Sequence, residues 1–223
     1  MRRGLAGAEK LLFDPEVLKK ETGKAHAVNY FTPSPDGNVK RLLRMAYQDG
    51  AAPSEGTLPV LGSVGISGGI SAGGILVGRA MTERPDLFAV VIPAVGALDL
   101  VRAETTPNGV PNIPEFGSRA TEPGFRALLA MSTYHHINDG VRYPAVLLTH
   151  GANDPRVEVW NSTKTAARLM AASTSGKPIV LRLDYDSGHG SGNTKSQSLD
   201  QRADSFAFAL WQMGVKGYSP KGQ

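Results

Sequence analysis

Cysteine is absent from all 223 residues of the chain. That excludes a disulfide scaffold, a thiolate metal site and a cysteine nucleophile. Any catalysis has to run on hydroxyl, imidazole and carboxylate groups. Long apolar runs are also absent, the longest falling well short of the roughly 20 residues that span a membrane. The first residues are interrupted by Arg2, Arg3, Glu9 and Lys10, so neither a signal peptide nor an anchor is read there, and a cytoplasmic location is expected. Aromatic residues make up only 7% of the chain. The formal charge is +4, but the first 44 residues hold nine Lys/Arg against five Asp/Glu while the remainder is balanced at fifteen against fifteen. A basic stretch without interleaved aromatics reads as a solvated surface, so neither a nucleic acid nor a membrane is expected as a partner.

What is present divides near residue 60. With 41% hydrophobic residues the chain can bury one sizeable core, in one domain or at most two. Residues 1–43 read as extended chain with turns, the clearest being Ser34-Pro35-Asp36-Gly37. Residues 44–59 carry Asp49-Gly50, Pro53, Glu55-Gly56 and Pro59 without apolar periodicity, the composition of a linker. From there to residue 223, apolar runs alternate with helical periodicity, the mark of βαβ units on a mostly parallel sheet. Strands are expected at 58–66, 88–95, 145–150 and 179–185, and helices at 73–83, 123–130, 157–172 and 195–213. In the third helix Val157, Trp160, Thr163, Ala167 and Met170 recur at helical spacing and mark the face expected to pack on the sheet.

Chemistry concentrates at three loop ends. Gly65-Ile66-Ser67-Gly68-Gly69-Ile70-Ser71-Ala72-Gly73-Gly74 lies between a strand and a helix and contains G-x-S-x-G twice, centred on Ser67 and on Ser71. In a nucleophile elbow the serine occupies a strained strand-to-helix turn, and the flanking glycines are expected to be required there. Placement favours Ser71, because the helix follows it directly, whereas Ser67 is followed by two glycines read as still inside the turn. The competing readings are a flexible glycine-rich loop or a dinucleotide-binding turn, although no P-loop lysine or G-x-G-x-x-G is present. The strand 145–150 runs into Asp154, which could orient a histidine or simply cap a helix. The next strand runs into Ser187-Gly188-His189-Gly190, a histidine between glycines that core packing explains poorly. The order serine, acid, histidine is that of α/β-hydrolases. His26, His135, His136 and His150 read as structural or surface residues, His150 being the main decoy because it lies beside the acid loop. No spaced cluster of His, Asp and Glu suggests a metal, and no cofactor is implied.

Ser71-Ala72-Gly73-Gly74-Ile75-Leu76-Val77-Gly78 followed by Glu83-Arg84-Pro85-Asp86-Leu87-Phe88 resembles the nucleophile region of the prolyl oligopeptidase family of serine peptidases. The resemblance continues through Val95-Gly96-Ala97-Leu98-Asp99, Glu115-Phe116-Gly117, Arg142-Tyr143-Pro144-Ala145, Asp154-Pro155-Arg156-Val157 and Gly188-His189-Gly190. It implies a catalytic triad of Ser71, Asp154 and His189 and an oxyanion donor in the backbone N–H of Ala72. It also implies substrate contacts at Arg156, Asn112 and Phe116, with Asn112 standing where the family places an aromatic that stacks on a substrate proline. Against the family pattern, residues 1–43 resemble the segment that precedes a β-propeller. The propeller itself, the first strands of the hydrolase sheet and the tyrosine that supplies a second oxyanion donor have no counterpart. The expectation is therefore roughly half of a hydrolase sheet, with an exposed edge through which the chain could self-associate. Three functions compete at this point: an oligopeptidase acting on peptides, an acyl hydrolase of broader range acting on small esters, and a non-catalytic relative acting as a binding module.

Overall fold

The computed structural model of the chain describes residues 20, 31–33, 40–42, 65–190 and 193–220. The chain forms two compact units, Met1–Leu61 and Gly62–Gln223. In the first, β1 (Phe31–Pro33) pairs antiparallel with β2 (Lys40–Leu42). The turn sequence at 34–37 falls between these strands and, like the linker at 44–59, lies outside the described residues.

The second unit is built on four parallel strands in the order β3-β4-β5-β6. They are β3 (Gly65–Ile70), β4 (Phe88–Ala94), β5 (Ala145–Gly151) and β6 (Ile179–Asp184). The main helices between and after them are α1 (Gly73–Glu83), α4 (Glu122–Met131), α5 (Trp160–Ala172) and α6 (Lys195–Gln212). Two single-turn helices, α2 (Leu100–Ala103) and α3 (Ile113–Phe116), lie between β4 and α4.

Side-chain alternation along the strands sorts the core into two layers. Val91, Val146 and Leu148 point to one face and pack with Val77 and Met81 of α1 and with Ala166, Leu169 and Ala172 of α5. Val90, Ala145 and Leu147 point to the other and meet Phe208 and Trp211 of α6. Each such fully buried aliphatic contributes about 1.5–3 kcal/mol relative to exposure. The α6 helix starts where Thr194 and Gln197 cap each other: the Gln197 N–H donates to Thr194 Oγ1 (3.2 Å), and the Thr194 N–H donates to Gln197 Oε1 (2.8 Å).

Three expectations are corrected. The first strand runs through Gly65–Ile70 and so ends at 70 rather than at 66, while the expected part at 58–64 lies outside the described residues. The Ser67-Gly68-Gly69-Ile70 stretch read as turn is strand, in register with Val91 to Ala94. Glycine is a poor strand former, but α1 approaches β3 so closely that a Cβ on Gly69 would overlap the Gly73 carbonyl and lie 2.9 Å from the Val77 side chain. Secondly, α5 begins at Trp160, three residues later than expected. The Val157 carbonyl, which in a helix starting there would accept from Asn161 N–H, is taken by His150, and Asn161 N–H goes to Glu158 O (3.0 Å) instead. Thirdly, the buried face of α5 is Asn161, Ser162, Thr165, Ala166, Leu169 and Ala172, while Ala167 and Met170 face solvent, Met170 being 54% exposed. The true packing face is small and polar, so the larger apolar residues marked the wrong stripe.

Candidate active site

The carboxyl ends of β3, β5 and β6 carry the three loops, with β4 lying between β3 and β5. Ser71 directly follows β3 and has φ +56°, a left-handed conformation that a non-glycine residue adopts at a cost of about 1–3 kcal/mol. Backbone hydrogen bonds hold it there. Its N–H donates to Ala94 O (3.0 Å), and its carbonyl accepts from Gly74 N–H (2.9 Å) and Ala97 N–H (3.1 Å). Ala72 is the N-cap of α1, and among the described residues none accepts from its N–H at that helix N-terminus. Of the two motif glycines flanking Ser71, Gly69 meets the expected requirement and Gly73 does not. A Cβ on Gly73 would meet nothing within 4 Å, whereas one on Gly74 would run into Gly96 Cα at 2.6 Å. Ser67, the other candidate, sits inside β3 opposite Val91.

Asp154 is buried, 8% exposed, on the turn after β5, and divides its two oxygens between two tasks. Oδ1 accepts from the N–H groups of Arg156 (2.8 Å) and Val157 (3.0 Å), the backbone-capping role that the sequence also allowed. Oδ2 lies 2.7 Å from Nδ1 of His189. A carboxylate can only accept, so Nδ1 carries the proton and Nε2 of the neutral ring keeps its lone pair. The acid and histidine loops are docked backbone to backbone. Asn153 N–H donates to Ser187 O (3.1 Å), and a side chain on Gly151 would overlap the Ser187 and Gly188 carbonyls. His189 lines a cavity of about 100 Å³ together with Ile70, the residue before Ser71, and with Val95, Gly188 and Gln201.

His150 is the decoy its sequence position suggested. The ring is buried, its Nε2–H donates to Val157 O (2.8 Å), and Nδ1 lies 2.7 Å from the Ser162 hydroxyl. Burial pushes its pKa down, which favours the neutral ring that these partners require. Nε2 also lies 3.3 Å from Asp154 Oδ2, so the ring braces the acid from the side opposite Arg156 and Val157.

The three residues implied as substrate contacts are placed as follows. Arg156 is exposed on the acid turn, and its carbonyl accepts from Asn108 Nδ2 (3.1 Å). Asn112 turns its own Nδ2 back to Asn108 O (2.9 Å), so Asn108 links the two. Phe116 ends α3, partly buried, four residues further on. This excursion is closed by Glu104, whose carboxylate accepts from the Ser118 hydroxyl (2.9 Å) and the Arg119 N–H (2.7 Å). Sequence reasoning missed Val95, which leaves β4 at φ +43° with its N–H on Thr149 O (2.8 Å). A β-branched residue is among the least suited to that conformation, so no local signal marks it. Among the described residues no group of three or more His, Asp or Glu side chains is arranged to hold a metal ion.

A sequence profile of the prolyl oligopeptidase family matches residues 62–216. The chain belongs to this family. It is 35% identical over 149 residues to the prolyl endopeptidase of Elizabethkingia meningoseptica, covering 66% of this chain and 21% of that protein. It is 31% identical over 151 residues to protease 2 of Moraxella lacunata, covering 66% and 22%. Among solved structures, oligopeptidase B from Leishmania major is similar with a TM-score of 0.64 at 26% identity, over 70% of this chain and 22% of that one. The chain thus spans about a fifth of the length of the relatives it matches. The parallel sheet with helices on both faces is the α/β-hydrolase domain of prolyl oligopeptidases, and the family is one of peptidases.

Proposed function

We propose that this chain is a serine-type acyl hydrolase in which Ser71 is the nucleophile, His189 the general base and Asp154 its orienting acid. The observation that carries the reading is the 2.7 Å contact between His189 Nδ1 and Asp154 Oδ2, made at the strand ends that also present Ser71 in a left-handed turn. His189 Nε2 takes the Ser71 hydroxyl proton as Oγ attacks the substrate carbonyl. The developing oxyanion is met by the N–H of Ala72. Collapse of the tetrahedral adduct passes the proton to the leaving group and leaves an acyl-Ser71, which water, activated by the same imidazole, hydrolyses to acid and free serine.

Peptides are the first substrate class, given the relatives' names, with the exposed Arg156 available to a substrate carbonyl. Two observations favour small activated esters as the better turned-over class in this chain. The cavity beside His189 is small, and the Asn112 amide is committed to Asn108 O, which leaves a polar group where an aromatic platform would select proline. A reaction with one oxyanion donor forgoes about 10²- to 10³-fold in rate relative to one with two, a loss that an activated leaving group tolerates better than an amide. The test is a comparison of a short-chain nitrophenyl ester with succinyl-Gly-Pro-nitroanilide on a monodisperse preparation. Ester turnover that Ser71→Ala abolishes, with peptide turnover far below it, is expected. Proline-restricted peptide turnover in the ordinary range of about 1–10³ s⁻¹ contradicts the substrate preference.

A further inference from the structure

The nucleophile turn and the acid turn are tied together by a buried amide that takes no part in the chemistry above. Asn161 lies in the first turn of α5, seven residues after Asp154, and is 4% exposed. Its Oδ1 accepts two consecutive backbone donors from the segment that follows β4, Leu98 N–H (3.2 Å) and Asp99 N–H (3.0 Å), while its Nδ2 donates to Glu158 O (3.0 Å). Three of the amide's four hydrogen-bonding valences are therefore used, both lone pairs of Oδ1 among them. An apolar residue of similar size would leave two buried N–H groups without partners.

The segment that Asn161 grips is the one that supports Ser71. Between Val95 and Asp99 the chain turns out of β4, and Ala97 N–H donates to the Ser71 carbonyl. Gly96 packs against Gly74 so closely that no Cβ fits between them. At the end of the segment Asp99 is buried, accepts from Arg102 N–H (3.2 Å) and pairs with Lys164, which stands three residues beyond Asn161 on the same helix. Two side chains of α5 thus hold one segment, and that segment holds the carbonyl of the residue at φ +56°.

We infer that Asn161 is a positioning residue for Ser71, fixing the 95–99 segment so that the nucleophile turn and the acid turn behave as one body. The inference rests on the proposed role of Ser71. Loosening the segment weakens the Ala97–Ser71 hydrogen bond, and a displacement of roughly 1 Å at a reacting atom can cost about 10²-fold in rate. The Asp154–His189 pair is untouched, so the rate falls without a shift in its pH dependence.

The test uses the full chain and a fluorophosphonate probe, with labelling rates followed across pH for the wild type, Asn161→Ala, Asn161→Asp and Leu169→Ala. Asn161→Ala is expected to label about tenfold to a hundredfold more slowly at an unchanged pH midpoint. Asn161→Asp, which keeps an acceptor for both N–H groups, recovers most of the rate. Leu169→Ala truncates a fully buried residue of the same helix and labels at close to the wild-type rate despite a lower Tm. Wild-type labelling by Asn161→Ala, or equal slowing by Leu169→Ala, overturns the inference. If the wild type itself does not label, the nucleophile reading fails, and amide hydrogen exchange then decides this inference separately. Ala97 is expected to lose protection in Asn161→Ala while Val95, bonded to Thr149, keeps it; an unchanged Ala97 refutes the positioning role.

Discussion

Replacing Asp154 by Asn tests the electrostatics of the site without emptying it. The Asp154 carboxylate receives Arg156 N–H at 2.8 Å, Val157 N–H at 3.0 Å and His189 Nδ1–H at 2.7 Å. An amide can satisfy only part of this set. With its oxygen toward the two backbone donors, its NH₂ faces His189 Nδ1 and the Nε2 of His150, whose proton is held by Val157 O. With its oxygen toward His189, the NH₂ faces two backbone N–H groups, and losing those bonds costs about 1–3 kcal/mol each. The first orientation therefore wins, and His189 must then accept at Nδ1 and carry its proton on Nε2. That is the wrong tautomer for a base. In a serine protease with a Ser-His-Asp triad the same change lowers kcat about 10⁴-fold, or about 5.4 kcal/mol of barrier. The assay is the second-order rate of fluorophosphonate labelling at neutral pH, with thermal unfolding as the check on folding. A drop of about 10³- to 10⁴-fold with a cooperative unfolding transition is expected. A folded Asp154→Asn protein that labels within about tenfold of the wild type refutes the reasoning.

Other perturbations give separate outcomes. Gly69→Ala, which drives a Cβ into the Gly73 carbonyl, should destabilise the fold by several kcal/mol, whereas Gly73→Ala, which meets open space, should be neutral or stabilising by up to about 1 kcal/mol; denaturant titration of both would show it. Burial holds the His150 pKa below its ordinary value near 6.5, so the unfolded chain binds a proton that the folded chain refuses; stability is full above about pH 6.5 and declines below it, by at most about 1.4 kcal/mol per pH unit from this group. His150→Gln, with a donor and an acceptor but no proton to gain, should flatten that slope in urea titrations run from neutral to mildly acidic pH. No described strand pairs with the outer edge of β3, and Ile66 and Ile70 on it are 45% and 70% exposed, so sedimentation velocity is expected to show concentration-dependent association that a Lys at position 66 suppresses.

Much of the scaffold was legible because it follows local rules. The α1 helix occupies 73–83 as read, and the apolar runs at 88–94, 145–151 and 179–184 are the strands expected of a parallel sheet buried on both faces. The positions of the candidate residues were legible as ends of those elements, since Ser71, Asp154 and His189 each stand beyond a strand. What escaped depends on partners distant in sequence. The start of α5 is delayed by the His150 imidazole that captures the Val157 carbonyl, and that capture leaves no mark on helical periodicity. Its buried face is polar because Asn161 and Ser162 serve Leu98, Asp99 and His150. A reading based on apolar spacing selects Met170 instead. Likewise, after Ser71 the glycine demanded by close packing is Gly74, set by its approach to Gly96, and not the motif glycine Gly73. Val95 at positive φ is held by Thr149 and has no sequence signature at all.

The central claim is that Ser71, and not Ser67, is the nucleophile activated by His189. Labelling the chain with a fluorophosphonate, digesting it and locating the adduct by mass spectrometry tests this directly, with Ser71→Ala, Ser67→Ala and His189→Ala run alongside. The adduct should sit on Ser71, persist in Ser67→Ala, and vanish in both Ser71→Ala and His189→Ala. An adduct on Ser67, or labelling of Ser71 at the wild-type rate without His189, would contradict the account.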